Sequence, residues 1–204
     1  MKLITLTAPS GAGKDTILNE LVNRHDKLNT IVSYTSRPMR AGESEGKEYH
    51  FKTYDEMNKL LNNDGLLGHR IYKVSGGDTW IYGIPMNAID FNSNKIYIVI
   101  VDYDGLKQIR STLKSKCMLN NLTSFYIDAS YQNRYTRTFN RENNKIMNDE
   151  DFKKFLDECN RRFDDDNVNV LPAKDDADFV INNDYSINVA IKRIEGVLAE
   201  YGIY

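Results

Sequence analysis

The stretch TAPSGAGKDT, residues Thr7–Thr16, decides the fold predicted for this chain. It follows the apolar segment KLITLT and precedes a stretch in which apolar residues recur at helical spacing from Ile17 to Val22. In a strand, glycine turn and helix of this kind, the backbone N–H groups of Gly11 to Lys14 converge on phosphate oxygens. The stretch therefore predicts a phosphate-binding loop at the start of an α/β domain.

Two residues depart from the usual pattern of Gly, four residues, Gly, Lys and then Ser or Thr. Ala8 replaces the first glycine, which is acceptable if that residue keeps a negative φ. Asp15 replaces the hydroxyl that normally binds Mg²⁺, and Thr16 cannot substitute because it lies about 100° further round the helix. A carboxylate can bind the metal but brings negative charge close to the phosphates. The alternative is a glycine turn before a helix whose first turn is acidic, which the helix dipole favours.

The composition indicates a globular protein with one sizeable core. The chain has 204 residues, 41% hydrophobic and 27% charged, with a formal net charge of -2. This balance gives no general attraction to nucleic acid or an anionic membrane, so an anion must be bound by local clusters of arginine. Two cysteines and no apparent secretion signal lead us to expect a cytoplasmic protein with reduced thiols.

Short apolar segments alternate with amphipathic ones, as expected of a parallel sheet flanked by helices. The predicted strands are KLITLT, IYIVIVD, LTSFYID and DFVIN. The predicted later helices cover residues 105–113, 131–140, 151–163 and 187–201. Between Ser33 and Pro85 the sequence is rich in Tyr, Thr and Gly, which favours an antiparallel insert over another helix and strand unit.

A second motif, SYTSRPMRAGESEGKEYHF at residues 33–51, indicates what the other substrate is. Arg37 and Arg40 flank a proline-bearing turn, and Tyr49 follows on an expected strand. Two guanidinium groups and a phenol can bind one phosphate monoester through charge-assisted hydrogen bonds.

Together with PSGAGK, this motif resembles the guanylate kinase family, and the similarity extends over nearly the whole chain. The resemblance implies a P-loop kinase that binds ATP and Mg²⁺ and transfers the γ-phosphoryl group to a nucleoside monophosphate, with Lys14 bridging the β and γ phosphates. The expected ATP contacts are Ser10, Gly11, Ala12, Gly13, Lys14, Asp15 and Thr16, with Asp15 at the metal. The equivalents of four residues bind the acceptor phosphate in the family, namely Arg37, Arg40, Tyr49 and Tyr82. The resemblance also implies that Ser33 contacts the base and that Asp102 lies near the acceptor nucleoside and the metal.

A helical lid is expected to supply further positive charge, since phosphoryl transfer depends on positioning and charge neutralisation. The segment RYTRTFNR at residues 134–141 places three arginines at offsets of three and seven on one helical face. The resemblance makes Arg137 and Arg141 the lid arginines, whereas Arg134 does not match them. Without the two earlier motifs, such a basic helix face would be interpreted as simply solvent-exposed. A further catalytic arginine is Arg161 or Arg162, of which we favour Arg162. By resemblance, Asn183 in INND contacts the base of ATP.

The base pocket fits the family less well. The family carries Glu where this chain has Gly68, and Ser where it has Ile84, so two polar contacts to guanine are lost. We expect GMP or dGMP as the acceptor, with another or a modified base as the alternative.

The expected organisation is a P-loop core at residues 1–32, 86–130 and 164–204, a monophosphate-binding insert at 33–85 and a lid at 131–163. Two other functions stay open. Kinases of ribose bisphosphates resemble guanylate kinases and can carry Asp after the P-loop lysine, and some guanylate-kinase-like domains are non-catalytic interaction modules. No nucleic acid polymer or membrane is an expected partner, and the sequence leaves homo-oligomerisation open.

Overall fold

Two β-sheets carry the fold of this computed structural model, which describes residues 1–40, 42–73, 77–142, 148–200 and 202. The strands are β1 (Lys2–Thr7), β2 (Leu28–Thr30), β3 (Tyr34–Thr35), β4 (His50–Phe51), β5 (Leu66–Lys73), β6 (Thr79–Pro85), β7 (Ile96–Ile100), β8 (Leu122–Asp128) and β9 (Phe179–Asn182). The helices are α1 (Lys14–Arg24), α2 (Tyr54–Asn62), α3 (Tyr103–Ser115), α4 (Tyr131–Glu142), α5 (Asp149–Asn169), α6 (Ala173–Asp176) and α7 (Ile187–Glu200).

The larger sheet has five parallel strands in the order β2-β7-β1-β8-β9. Its central strand, β1, pairs with β7 on one side and β8 on the other, so that Leu3 lies beside both Tyr97 and Leu122. Both faces of β1 are covered, which explains why its sequence is a nearly continuous apolar run. The predicted α/β fold with a central parallel sheet is confirmed.

Helices cover the two faces of this sheet and form two separate apolar cores. On one face, α1 and α7 contribute residues such as Ile17, Leu21 and Ile194, all fully buried against β1 and β8. On the other face, α3 contributes Leu106 and Ile109. The helices cover the faces of the sheet and leave open its edge at the carboxyl ends of the strands. The loops at this edge can therefore form a site.

The smaller sheet has four strands in the order β4-β3-β6-β5. The pairs β3-β6 and β5-β6 are antiparallel, as expected, whereas β3-β4 is parallel. The insert also contains a helix that was not predicted, α2, which packs Met57 against Leu66 and Ile81. Its start is marked by a capping box in which Thr53 and Glu56 bind each other's backbone N–H groups.

The four predicted strands of the large sheet and the predicted helices are present, with ends that differ by a few residues. The short edge strand β2 was not predicted. Helix α5 continues through residue 163, where the sequence places the boundary between lid and core. The division of the chain into core, insert and lid stays a prediction.

Candidate active site

The loop between β1 and α1 has the geometry of a phosphate-binding turn. Gly11 and Gly13 have φ values of 77° and 94°, a region that residues with a Cβ rarely adopt. Gly13 is the N-cap of α1, so the free N–H groups of the first helical turn face the loop. Among the described residues only Asp64 and Cys117 are non-glycines with positive φ. Ala8 therefore has a negative φ, which is the condition under which alanine can replace the first glycine of the motif.

A buried ion pair holds this loop from the side of α4 and α5. The Nη2 of Arg134 lies 3.0 Å from Oδ2 of Asp166, and each side chain is only 7% exposed. Arg134 and Asp166 also bind the backbone of Ser10. The N–H of Ser10 donates to Asp166 at 2.7 Å, and the carbonyl of Ser10 accepts from Nε of Arg134 at 3.0 Å. Arg134, which matches no lid arginine of the family, is buried and is not part of a solvent-exposed basic face. It fixes the loop instead of facing solvent.

The other side of the loop rests on Asn183, which follows β9. The Nδ2 of Asn183 donates to the carbonyl of Ala12 at 2.8 Å, and Nη2 of Arg137 donates to the carbonyl of Asn183 at 2.7 Å. The Oδ1 of Asn183 and the Nη1 of Arg137 are buried without a hydrogen-bond partner among the described residues. An acceptor and a charged donor are therefore left for a ligand beside the loop.

Lys14 and Asp15 lie at the exposed mouth of the loop. The Nζ of Lys14 is 3.1 Å from Oδ2 of Asp15, and the two side chains are 33% and 70% exposed. Thr16 is also exposed, on the next position of α1. A single accessible carboxylate suits Mg²⁺, which prefers oxygen ligands and keeps several waters or phosphate oxygens. The residues present therefore fit this metal.

A cavity of about 890 Å³ opens between the loop, the small sheet and α5. It brings together half of the residues predicted from the sequence: Ser10, Lys14, Ser33, Arg40, Tyr49, Tyr82, Asp102, Arg161 and Arg162. Gly68 and Ile84, the two positions of the altered base pocket, also line it. The phosphate loop and the expected acceptor residues thus share one space.

Arg37 lies behind the cavity wall, with its guanidinium carbon 5.7 Å from the ring centroid of Tyr49, which lines the cavity. Its side chain is 3% exposed, and Nη2 contacts both carboxylate oxygens of Glu43, at 2.7 and 3.0 Å. Glu43 also accepts from the backbone N–H of Arg40 at 2.7 Å. Of the two arginines predicted to bind phosphate, Arg40 faces the cavity, while Arg37 fixes the turn that carries Arg40.

Three tyrosines form a continuous aromatic wall along the small sheet. The ring of Tyr82 makes edge contacts with Tyr49 and Tyr72, at 5.6 and 5.4 Å between centroids. Burial raises the pKa of the Tyr49 hydroxyl to about 12. The phenol is therefore protonated at neutral pH and can donate a hydrogen bond to a phosphate oxygen.

Asp102 joins the large sheet to the small one. It is the N-cap of α3, where its Oδ1 accepts from the N–H of Gly105 at 2.8 Å, and its Oδ2 lies 3.3 Å from Nη1 of Arg70. Burial raises the pKa of the Asp102 carboxyl above its usual value, against the effect of these two donors. Arg70 also reaches α5, where its Nη2 is 2.7 Å from Oδ1 of Asp165.

Arg161 and Arg162 project from α5 and share one carboxylate. Glu158 accepts from Nε of Arg161 at 2.7 Å and from Nε of Arg162 at 2.8 Å. Arg162 is the less exposed of the two, at 33% against 59%. The side chain of Arg141, the other predicted lid arginine, lies outside the described residues.

Sequence reasoning missed Arg70, Asp165 and Asp166. Arg70 had one available signal, since it lies two residues beyond Gly68 on the strand in which the base contact was expected. The aspartates carried no local signal because their partners are far away in the chain. Across the described ranges, no cluster of three or more His, Cys, Asp and Glu could hold a metal ion, and no helix is long and apolar enough to cross a membrane.

Comparison with known proteins gives a consistent result. A family model described as guanylate kinase matches residues 1–201. A guanylate kinase of Synechococcus sp. (strain JA-3-3Ab) is 28% identical over 97% of this chain and 82% of its own length. A guanylate kinase of Schizosaccharomyces pombe is 36% identical over 55% of this chain and 54% of its own length. The crystal structure of guanylate kinase from Anaplasma phagocytophilum has the same fold, with a TM-score of 0.63 at 21% identity over 98% of this chain and 85% of that one.

Proposed function

The chain belongs to the guanylate kinase family, and we propose that it transfers the γ-phosphoryl group of ATP to the phosphate of GMP or dGMP within the cavity described above. One observation carries this assignment. Lys14 of the phosphate loop lines the same cavity as Arg40 and Tyr49, which lie between strands β3 and β4 of the small sheet. Two phosphate-binding groups facing one space are what a transfer between two nucleotides requires.

On the donor side, the N–H groups of the loop from Gly11 to Lys14 bind the phosphates of ATP. The ammonium of Lys14 bridges the β and γ phosphates and neutralises their negative charge while the γ-phosphoryl group is transferred to the acceptor. The unpartnered Oδ1 of Asn183 accepts from the adenine amine. Asp15, together with phosphate oxygens, would hold Mg²⁺, which supplies charge neutralisation and orients the phosphates when bound.

On the acceptor side, Arg40, Tyr49 and Tyr82 bind the phosphate of the monophosphate. Arg40 is exposed and has no carboxylate at its guanidinium among the described contacts, so it is available for a phosphate. Arg37 acts through Glu43, which holds the backbone of Arg40. Ser33 and Asp102 line the cavity further in and contact the nucleoside.

Helices α4 and α5 bring positive charge to the transferred phosphoryl group. Arg162 and Arg161 already line the cavity, and Arg137 has one free buried donor beside the phosphate loop. We assign Arg137, Arg141 and Arg162 to stabilisation of the transition state, where charge spreads over the equatorial oxygens.

A coupled assay for ADP formation tests this proposal, with GMP, dGMP, AMP, dTMP, dUMP and dCMP as acceptors. The wild-type chain is expected to phosphorylate GMP or dGMP, and Lys14→Ala is expected to lower kcat by at least about 100-fold while the protein stays folded. Lys107→Ala is the matched control, because Lys107 is a half-exposed lysine that pairs with Asp104 away from the cavity. Near-normal turnover in folded Lys14→Ala would contradict the assignment.

A further inference from the structure

One face of the β5-β6 hairpin forms the inner wall of the cavity. Alternate residues of the two strands lie opposite each other on this face, and all six line the cavity: Gly68 opposite Ile84, Arg70 opposite Tyr82, and Tyr72 opposite Trp80. The wall is therefore apolar or aromatic at five positions and cationic at one. Arg70 is the single charged group on it.

Position 68 cannot easily supply a polar side chain in this fold. A Cβ placed on Gly68 would lie 3.2 Å from the carbonyl oxygen of Gly105 and 3.4 Å from its Cα, both backbone atoms of α3. Helix α3 packs where a side chain at this position would begin. The polar contact that a side chain at position 68 would make must therefore come from another residue lining the cavity, and Arg70 lies on the same face of the same strand.

Arg70 is held in a fixed orientation by three elements. Its guanidinium carbon is 3.9 Å from the ring centroid of Tyr72, and it is anchored by Asp102 before α3 and Asp165 of α5. Its side chain is only 13% exposed. A guanidinium has five N–H donors, and the two ion-pair contacts leave others for a ligand.

We propose that Arg70 is the specificity-determining residue for the acceptor base, donating hydrogen bonds to O6 and N7 of guanine from the wall beside Gly68. This inference rests on the proposed function and specifies its base pocket. Arginine pairs with these two acceptors of guanine in a bidentate geometry. Stacking on Tyr72 and two carboxylate anchors set the guanidinium in place before the base arrives, so little entropy is lost on binding.

The same arrangement rejects adenine. Adenine carries an amino group at position 6, and an arginine, which has donors only, cannot accept from it. Two donors then face each other without a partner, which is the most effective way for a site to exclude an analogue. The carboxylate of Asp102, next to Arg70, accepts from N1–H of a 6-oxopurine and adds to the discrimination.

The test is kcat/KM for GMP, IMP and AMP in the wild-type chain and in Arg70 variants. IMP keeps O6, N7 and N1–H but lacks the 2-amino group, so it reports on the proposed contacts without any contribution from that amine. In Arg70→Ala, kcat/KM for GMP and IMP is expected to fall by about 10- to 100-fold, mainly through KM, while kcat/KM for AMP stays within about twofold. Arg110→Ala is the control, since Arg110 likewise pairs with a carboxylate, Asp178, but lies outside the cavity and is about a third exposed.

A second variant keeps the test valid if Arg70→Ala unfolds. Arg70→Gln keeps most of the side-chain volume and has both a donor and an acceptor, so it is expected to bring kcat/KM for AMP and GMP close together. An equal loss for GMP, IMP and AMP in a folded variant would mean that Arg70 only ties the sheet to α5, and the inference would be wrong. Equal use of GMP and AMP by the wild-type chain would overturn it as well, whereas a wild-type chain that phosphorylates no monophosphate would instead refute the proposed function.

Discussion

Arg134 and Asp166 are the two residues on which the shape of the phosphate loop most depends. Each binds the other and also a backbone group of Ser10, so the loop is fixed from both its N–H and its carbonyl. Arg134 additionally packs 4.7 Å from the ring centroid of Phe163. A charge buried in this way is tolerated only while its partner is present.

Arg134→Met is therefore expected to lower the free energy of unfolding by about 3 to 5 kcal/mol, because it leaves Asp166 buried and unpaired. Urea denaturation at neutral pH measures this loss. The double variant Arg134→Met with Asp166→Leu removes both charges and is expected to be more stable than the single variant. A single-variant loss below about 1 kcal/mol would show that the pair contributes little.

The pH dependence of that loss follows from Asp166. Burial raises the pKa of its carboxyl even when Arg134 is present. A group whose folded pKa is raised holds its proton more tightly in the folded state, so its destabilising effect is lost as pH falls through that pKa. The difference between wild type and Arg134→Met is thus expected to shrink as the solution is acidified.

Gly11 is a second residue whose replacement has a defined cost. A Cβ there would lie 2.3 Å from the carbonyl oxygen of Arg134, and its φ is 77°. Gly42 has a φ of 87° with open space around it, so Gly42→Ala measures the backbone strain alone, about 1 kcal/mol. Gly11→Ala is expected to cost about 2 to 4 kcal/mol because a steric clash with α4 adds to the strain. Equal losses in the two variants, measured by thermal unfolding, would contradict the close packing of the loop on α4.

At the scale of elements, α5 carries a charged surface that responds to acid. The hydrogen bond from Arg161, together with that from Arg162, lowers the pKa of Glu158 to about 2 from an ordinary value of 4.5. A carboxyl with a lowered folded pKa stabilises the fold above its unfolded pKa, and this contribution is lost as pH falls through the folded pKa. The stabilisation contributed by Glu158 is therefore lost between about pH 4.5 and 2.

Glu158→Gln is expected to be less stable than wild type at pH 7, and the difference is expected to vanish as the pH falls from about 4.5 towards 2. Glu150→Gln is the control, since Glu150 pairs with a lysine on the same helix but is 77% exposed. Chemical denaturation over this pH range gives both curves. A constant difference between wild type and Glu158→Gln would mean that the two arginines do not hold this carboxylate.

Elements with a local signal could be predicted from the sequence, and contacts between distant elements could not. The loop, its flanking strand and α1 follow from TAPSGAGKDT because glycines and a lysine at fixed spacing specify a turn. The capping residues Thr53 and Glu56 were a sequence signal for helix α2. The residues on either side of the helix are typical of strands, however, and they favoured the prediction of an antiparallel insert. The pairing of Arg134 with Asp166 depends on how α4 packs against α5, which no spacing within either segment reveals. The position of Arg37 behind Arg40 likewise depends on a turn closed by Glu43.

At the scale of the whole molecule, the two proposed nucleotide sites lie beside different sheets and share one cavity. The loop follows β1 of the five-stranded sheet. Tyr82 lies on β6 of the four-stranded sheet, and Arg40 and Tyr49 lie between β3 and β4 of that sheet. A ligand that occupies both sites links the two sheets and α5. The stabilisation by such a ligand grows with its concentration relative to Kd.

A single compound in which an adenosine and a guanosine are joined through five phosphates is therefore expected to bind more tightly than ATP or GMP alone. At 100 times its Kd it is expected to stabilise the fold by about 2.7 kcal/mol, seen as a rise in Tm. The compound with two guanosines is the control for occupation of the donor site. A Tm no higher than with ATP alone at the same concentration would argue against a shared cavity.

The order of strands in the large sheet also limits when that sheet can be completed during synthesis. The strand β1 is made first but lies at the centre, and its partners begin only at Ile96 and Leu122. The insert strands, in contrast, all lie between Tyr34 and Pro85 and pair among themselves. The emerging chain therefore carries an apolar, unpaired β1 while the insert forms, and β1 is exposed to aggregation until the second half of the protein leaves the ribosome.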